Sequence, residues 1–157
     1  MAEETPQPNF RIHKIYAKDV SFESPRAPAL FVDNAGWQPK VQVQLNSESK
    51  AIRDALYEST LTLTVTVEQG EETAYLIEVK YAGLFELGGF PDPQMAHMLG
   101  AYCPNVIFPF ARQLVCDTAV AGGFPQLLLE PVNFDALFQQ QQQAKQNESG
   151  AGDATLQ

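Results

Sequence analysis

Alternation of apolar and polar residues runs through the middle of the chain. From Tyr57 to Val67 the odd-numbered positions are mostly aliphatic, and the even-numbered positions are glutamate and threonine. The alternation resumes from Tyr75 to Tyr81, after a short polar connection that contains Gly70. A period of two is typical of a strand with one buried face, and a glycine in the connection can adopt a positive φ. The pattern therefore predicts a long antiparallel β-hairpin.

One position in the second half of this hairpin breaks the alternation. Leu76 shares its face with Glu78 and Lys80, and the pattern assigns that face to solvent. We therefore expect a single apolar side chain to lie exposed among charged ones on the outer side of the sheet.

Two further segments predict strands. Residues 10–23 alternate loosely, with Phe10 and Tyr16 on the apolar side and Asp19 on the polar side, and prolines follow them. Residues 41–46 alternate strictly over a shorter length. Together with the hairpin, these segments predict one antiparallel sheet of four strands with a single covered face.

The remaining segments predict a crossover and helices. Gly83–Pro93 is punctuated by glycine and proline, which indicates an irregular crossover. Gln94–Ala121 is apolar on most sides, with a break expected at Tyr102–Pro104, and a last helix is expected after Asn133. Because a helix that is apolar all round needs more cover than one small chain provides, we expect an oligomer.

The chain divides into three parts. Residues 1–9 are acidic and contain prolines, so we expect a flexible N-terminus. Residues 10–138 carry the periodic segments and are long enough for one core. Residues 139–157 are a glutamine run and a polar tail, a composition that does not pack and that predicts disorder.

Charge and composition narrow the classes of partner. The chain has 19 acidic and 10 basic residues, a net charge of −9 and a pI near 4.6. Phosphate groups repel such a chain, which argues against nucleic acid and anionic membrane surfaces and favours a basic or zinc-bearing protein partner. The start does not resemble a signal peptide, and no apolar run of about 18 residues is present, so we expect a cytoplasmic protein with free thiols at Cys103 and Cys116.

No catalytic or metal-binding pattern is present in the sequence. His13 and His97 belong to no H-E-x-x-H motif, and two cysteines are too few for a structural zinc site. We therefore expect neither an enzyme nor a metal or other cofactor. An enzyme on a small α+β scaffold is the less favoured alternative, because no nucleophile is paired with a base.

Surplus apolar residues in irregular or terminal segments suggest a binding surface. For any one of them the ordinary position is the core, but together they indicate an apolar groove suited to extended peptides. These residues are Phe31, Trp37, Phe85, Phe90, Phe134, Leu137 and Phe138.

Five blocks of sequence resemble one known family. The blocks are IYAKDVSFESP (15–25), WQP (37–39), GEETAYLIEV (70–79), QMAHMLGAYCPNVIFPFAR (94–112) and FPQLLLEPVNFDALF (124–138). In this order they resemble the SecB family, the cytoplasmic chaperones of bacterial protein export. The resemblance covers nearly all of the chain between Phe10 and Phe138.

The resemblance implies a fold, an activity and partners. The fold is α+β, with a four-stranded antiparallel sheet and helices packed on one face, assembled as a homotetramer that is a dimer of dimers. The activity is ATP-independent holding of non-native precursor proteins and their delivery to the SecA motor of the translocase. The alternative is a SecB-like holdase that serves another partner, for example a toxin–antitoxin system.

The resemblance also implies two sets of site residues. The set implied for SecA binding is Asp19, Glu23, Leu76 and Glu78. The set implied for the client-binding groove is Trp37, Val41, Val43, Leu45, Phe85, Phe90, Leu137 and Phe138.

Overall fold

The chain folds around a four-stranded antiparallel sheet, seen in a computed structural model that describes residues 7–33 and 36–154. The strands are β1 (Asn9–Glu23), β2 (Pro39–Arg53), β3 (Leu56–Gln69) and β4 (Glu72–Gly88). They lie in the order β1-β4-β3-β2, so the hairpin β3–β4 occupies the centre and β1 and β2 form the edges. The predicted α+β sheet with helices on one face is confirmed.

The central hairpin supplies most of the buried surface of the sheet. Leu61, Leu63, Val65 and Val67 of β3 are fully buried, and Val65 lies opposite Ile77 of β4. Each buried aliphatic side chain of this kind contributes roughly 1.5–3 kcal/mol, so these alternating positions are the principal source of stability for the sheet. Thr62, Thr64 and Thr66 lie on the opposite, outer face, as the period of two predicts.

Helices cover one face of the sheet, and all except the first follow β4 in the chain. They are a single turn α1 (Ala29–Val32), α2 (Asp92–His97), a π-helical turn (Met98–Tyr102), α3 (Cys103–Ala121) and α4 (Phe134–Ala154). Helix α3 packs mainly against β4 and β3. Among the described residues, no helix is both long enough and apolar enough to cross a bilayer.

The predicted break between α2 and α3 is wrong, because the helical path continues through the π-helical turn. The Cys103 N–H donates to the Met98 carbonyl, five residues earlier. Pro104 then occupies the first turn of α3, where the missing N–H needs no acceptor. The proline therefore changes the hydrogen-bonding pattern of the helix without ending it.

The predicted crossover at residues 83–93 is wrong over its first half, because β4 continues to Gly88. Gly83 is a strand residue that lies opposite Ile15 of β1 and Ser59 of β3. A Cβ atom at Gly83 would approach the Phe85 ring to 2.6 Å. Close packing, not a turn, therefore requires glycine here, and the chain leaves the sheet only at Gly89, whose φ is 75°.

Two bulges in β1 change which side chains face the helices. The register shifts between Ile12 and Lys14 and again between Ala17 and Asp19. Tyr16, predicted on the apolar side, therefore lies on the outer face, where its hydroxyl donates to Glu58. Between the two bulges the alternation read from the sequence is inverted, and beyond the second bulge it is restored.

The C-terminal end of the chain differs from the sequence prediction. Residues 1–6 of the predicted flexible N-terminus and residues 155–157 of the predicted tail lie outside the described residues. Helix α4 continues through the glutamine run to Ala154, although the sequence predicts disorder from residue 139 onwards. The Asn133 side chain caps α4 by accepting from the Ala136 N–H at 3.0 Å, and glutamine is a good helix former, so a capped first turn can propagate.

Candidate functional site

An apolar groove forms because the helices leave one edge of the sheet uncovered. Helix α3 lies over the centre of the sheet, and β2 is the edge strand. The side chains of β2 that point towards the helix layer are consequently only partly covered: Val41 is 39% exposed and Val43 is 47% exposed. Apolar side chains at such exposure on one strand are a binding surface rather than core.

The connector between α3 and α4 forms the second wall of this groove. The groove has a volume of about 590 Å³. Its lining is apolar apart from Glu130. The groove is lined by Val41, Val43, Leu45, Leu63, Phe108, Leu127, Leu128, Leu129, Glu130, Pro131, Val132 and Leu137. A concavity of this size takes several side chains, and its apolar lining selects apolar ones.

Four of the residues predicted to bind clients meet in this groove. Val41, Val43 and Leu45 are contributed by β2, and Leu137 is contributed by the first turns of α4. Phe85 does not join them, because it lies in β4, is fully buried and stacks on Phe10 with ring centroids 5.8 Å apart. Phe85 is therefore a core residue in this structure, and its assignment to an exposed groove is wrong.

Phe90 and Phe138 lie near each other but outside the main groove. Phe90 borders a smaller depression beside His97. The Phe138 ring meets the His97 ring edge-on at 5.6 Å and covers Gly100, where a Cβ atom would come within 2.5 Å of it. His97 Nε2 is also 2.6 Å from Asp135 Oδ1, so this cluster attaches the start of α4 to the π-helical turn and α2.

Trp37 lies at the end of the sheet, in an aromatic cluster centred on Phe124. The ring centroid of Phe124 is 5.6 Å from Trp37, 5.2 Å from Phe31 and 4.4 Å from Tyr75. Phe124 and Tyr75 are buried, whereas Phe31 and Trp37 are 51% and 38% exposed. The exposed rings therefore form a second apolar surface, supported from below by buried aromatic residues.

The connector residues that line the groove were not predicted from the sequence. Leu128 is 75% exposed, and its neighbours Leu127 and Leu129 also line the groove. Val132 completes this wall. The sequence signal that could have identified them is a run of three leucines between two prolines, in a segment without periodicity. Consecutive apolar residues in such a segment indicate that it packs against another part of the protein or binds a partner.

The cysteines are placed as ordinary core residues. Cys103 and Cys116 are both free and buried. Burial raises the pKa of the Cys103 thiol to about 12, which keeps it protonated and unreactive at neutral pH.

The four residues predicted to bind SecA share the outer face of β1 and β4. Glu23 lies directly opposite Leu76, and Ser21 lies directly opposite Glu78. Asp19 follows on the same face, opposite Lys80. Side chains that are directly opposite on neighbouring strands lie about 5 Å apart, so the Glu23 carboxylate lies beside the partly buried Leu76. Glu78 is the next side chain on the same face of β4, and Asp19 lies further along β1. We call Asp19, Glu23, Leu76 and Glu78 the acidic patch.

The outer face also carries a compact hydrogen-bonded cluster, beside Asp19 in the middle of β1. Tyr16 donates to Glu58 Oε2, and Lys18 Nζ is 3.1 Å from Glu58 Oε1. The hydrogen bond from Tyr16, together with Lys18, lowers the pKa of the Glu58 carboxyl below its usual range. Burial and the same hydrogen bond raise the pKa of Tyr16 to about 12. This cluster ties β1 to β3 across β4.

Tyr16→Phe is expected to reduce stability at neutral pH and to have less effect in acid. A carboxyl whose pKa is lowered by folding contributes stability above its unfolded pKa, and that contribution is lost as the pH falls through the folded pKa. We expect a loss of about 0.5–1.5 kcal/mol at pH 7 that shrinks as the pH falls through the lowered pKa of the Glu58 carboxyl. Urea unfolding across this pH range measures it.

Tyr81→Phe is the matched control for this measurement, because Tyr81 lies on the helix-facing side, against Phe110. We expect the stability difference between Tyr81→Phe and the parent protein to be independent of pH. A difference for Tyr16→Phe that also stays constant between neutral and acid conditions contradicts the role given to Glu58.

Comparisons with known proteins agree on one family. The family model described as preprotein translocase subunit SecB matches residues 3–145. A protein-export protein SecB of Methylococcus capsulatus is 48% identical over 95% of this chain and 96% of its own length. The protein of that name from Thioalkalivibrio sulfidiphilus is 52% identical over 95% of this chain and 87% of its own length.

A solved structure supports the fold independently. A SecB-like chaperone of Mycobacterium tuberculosis, in complex with a peptide from an antitoxin, superposes with a TM-score of 0.65 and 16% identity. The superposition covers 78% of this chain and 90% of that one. Taken with the family model and the relatives at about half identity, the sheet order and the helix layer lead to one conclusion: this chain belongs to the SecB family of protein-export proteins.

Proposed function

We propose that this member of the SecB family, a protein-export chaperone, holds non-native precursor proteins in its apolar groove without nucleotide and passes them to the SecA motor through its acidic patch. The observation that carries the proposal is the groove between β2 and the connector, in which Val41, Val43 and Leu128 are exposed. Folded proteins bury segments of matching chemistry, so the groove selects chains that have not yet folded.

Affinity in such a groove comes from many weak contacts. Each apolar side chain that a client buries contributes on the order of 1–2 kcal/mol, less the cost of ordering the client. A long unfolded chain can occupy the groove, the aromatic surface at Trp37 and the same sites on other subunits at once. The resulting avidity allows tight holding without sequence specificity.

The acidic patch fits a basic partner with an apolar contact point. Glu23 and Glu78 flank Leu76 on the outer face of the sheet. Carboxylates on such a surface attract a basic protein segment and orient it, while the leucine adds an apolar anchor. A basic, zinc-bearing tail of SecA has this chemistry.

Exposed apolar residues on the other side of α3 support a tetrameric assembly. Phe110 and Val120 of α3 are 48% and 49% exposed, and Val20 of the edge strand β1 is 43% exposed. Apolar surface of this extent on a monomer is typical of an interface. We infer a homotetramer in the cytoplasm, a dimer of dimers in which these surfaces are covered.

A holding assay tests the function directly. The species that sediments as a tetramer at micromolar concentration is mixed with an unfolded preprotein in the absence of nucleotide, and aggregation is followed by light scattering. We expect suppression at about one tetramer per preprotein, followed by binding of SecA to the complex. A monomer in sedimentation contradicts the assembly, and aggregation at the uninhibited rate contradicts the holding activity.

The same assay distinguishes the export chaperone from the alternative function. A SecB-like holdase that serves another partner would suppress aggregation but show no saturable binding in a titration with SecA. An enzyme would show neither behaviour. The presence of all four acidic-patch residues on one face favours the export role.

A further inference from the structure

Gln69, the last residue of β3, binds the backbone on both sides of Trp37. Its side-chain Nε2 donates to the Gly36 carbonyl at 2.6 Å, and its Oε1 accepts from the Gln38 N–H at 3.0 Å. A side-chain amide offers one donor and one acceptor in a single plane, as a backbone peptide group does. Gln69 therefore holds both peptide groups that flank the tryptophan.

The reason for a side-chain partner at this point is the proline that begins β2. Pro39 lies opposite Gln69 in the ladder, and it has no N–H to donate to the neighbouring strand. The hydrogen-bonded ladder between β2 and β3 therefore lacks a donor at Pro39, next to the segment that carries Trp37. The Gln69 amide replaces the missing ladder contact by hydrogen bonding to Gln38 and Gly36, which precede the proline.

The Trp37 side chain itself is supported from the opposite direction. Its ring lies 5.6 Å from the Phe124 ring, at an interplanar angle of 34°. It also borders a depression of about 180 Å³ together with Leu30, Arg26 and Gln69. The tryptophan is thus held at its backbone by a polar side chain and at its ring by an aromatic cluster, while 38% of it remains exposed.

We propose that Gln69 is a positioning residue that fixes Trp37 as a preorganised contact for apolar client side chains. The proposal rests on the proposed holding function, in which Trp37 is one of the client-binding residues. A ring already held in its bound orientation loses little conformational freedom when a client packs on it, and this favours binding. Gln69 bonds the Gly36 carbonyl and the Gln38 N–H on either side of Trp37 and acts through these two peptide groups.

Fluorescence tests the positioning step without any client. Trp37 is the single tryptophan of the chain, so its emission reports on this site alone. Replacing Gln69→Ala removes both hydrogen bonds, and we expect a red shift of the emission and an increase of about twofold in the acrylamide quenching constant. Gln69→Glu retains the acceptor but removes the donor to Gly36, so we expect a change in the same direction.

Gln42→Ala is the control variant, because Gln42 lies opposite Thr66, on the ladder and away from Trp37. We expect it to leave the emission and the quenching constant unchanged. Equal quenching constants for the parent protein, Gln69→Ala and Gln69→Glu overturn the proposal. An unchanged midpoint of thermal unfolding shows that any shift in the emission is local.

A double-mutant comparison tests the link to client binding. We expect Gln69→Ala to weaken client holding by about two- to threefold in the parent protein and to have no further effect in Trp37→Ala. An equal effect in both backgrounds overturns the proposed route through Trp37. Failure of the parent protein itself to hold clients would instead refute the proposed function, and the fluorescence result would remain interpretable.

Discussion

Glu78→Lys is expected to weaken the binding of SecA by about tenfold or more, while client holding and the tetramer stay unchanged. Glu78 lies on the outer face of the sheet, opposite Ser21 and two residues from Leu76. A lysine there repels a basic partner segment and does not disturb the groove on the other face. Leu76→Arg is expected to cost about 2 kcal/mol or more, since it removes the apolar anchor. Titration calorimetry with SecA measures both effects.

Glu48→Lys provides a control that makes the same change in net charge. Glu48 is on the same outer face, but it lies on the edge strand β2, opposite Thr60. We expect it to reduce the affinity for SecA only slightly, through the general field of the protein. The affinity of SecA for the parent protein is also expected to fall with added salt, because salt screens interactions between exposed charges. Parent-like affinity of Glu78→Lys would refute the assignment of the patch.

Val43→Asp is expected to weaken client capture by about tenfold or more, which corresponds to roughly 1.4 kcal/mol. Val43 is 47% exposed and lies on the floor of the groove, so an aspartate there remains hydrated in the free protein and the fold tolerates it. A client would have to bury apolar side chains against that charge. The apparent dissociation constant for a fluorescently labelled, unfolded preprotein measures the effect.

Gln44→Asp is the matched control for the groove. Gln44 is the next residue in β2, so its side chain points to the outer face, opposite Thr64. The control introduces the same charge one position along the same strand and on the other side of the sheet. We expect parent-like client binding. If both variants weaken capture equally, net charge and not the groove is responsible.

The groove illustrates how far alternation in the sequence can be used. Val41, Val43 and Leu45 were predicted correctly to share a face, because a strand places every second side chain on one side. Their exposure could not be predicted, since it depends on where α3 lies relative to the edge of the sheet. The leucines of the connector have no period, so only their packing opposite β2 revealed them as a wall.

Phe85 and Tyr16 show where local patterns are misleading. Glycines on both sides of Phe85 suggested a loop, whereas Gly83 is required because Ile15 and the Phe85 ring fill the space of its missing side chain. Tyr16 lies between two bulges that leave no signature in residue type. In both cases the pairing of β1 with β4, which are distant in the chain, contributes the deciding constraint.

Features that follow from local or periodic patterns can be predicted from the amino-acid sequence alone. These are the four-stranded antiparallel sheet, the central hairpin, the outer-face position of Leu76 and the family to which the chain belongs. The alternation of apolar and polar residues in the strands repeats over many positions, and each repeat supports the same assignment of buried and exposed faces. Only the tertiary structure decided which edge of the sheet stays uncovered, which aromatic residues are core and which side chains hold Trp37 in place. Those outcomes depend on packing between segments far apart in the chain, and no local pattern encodes that packing.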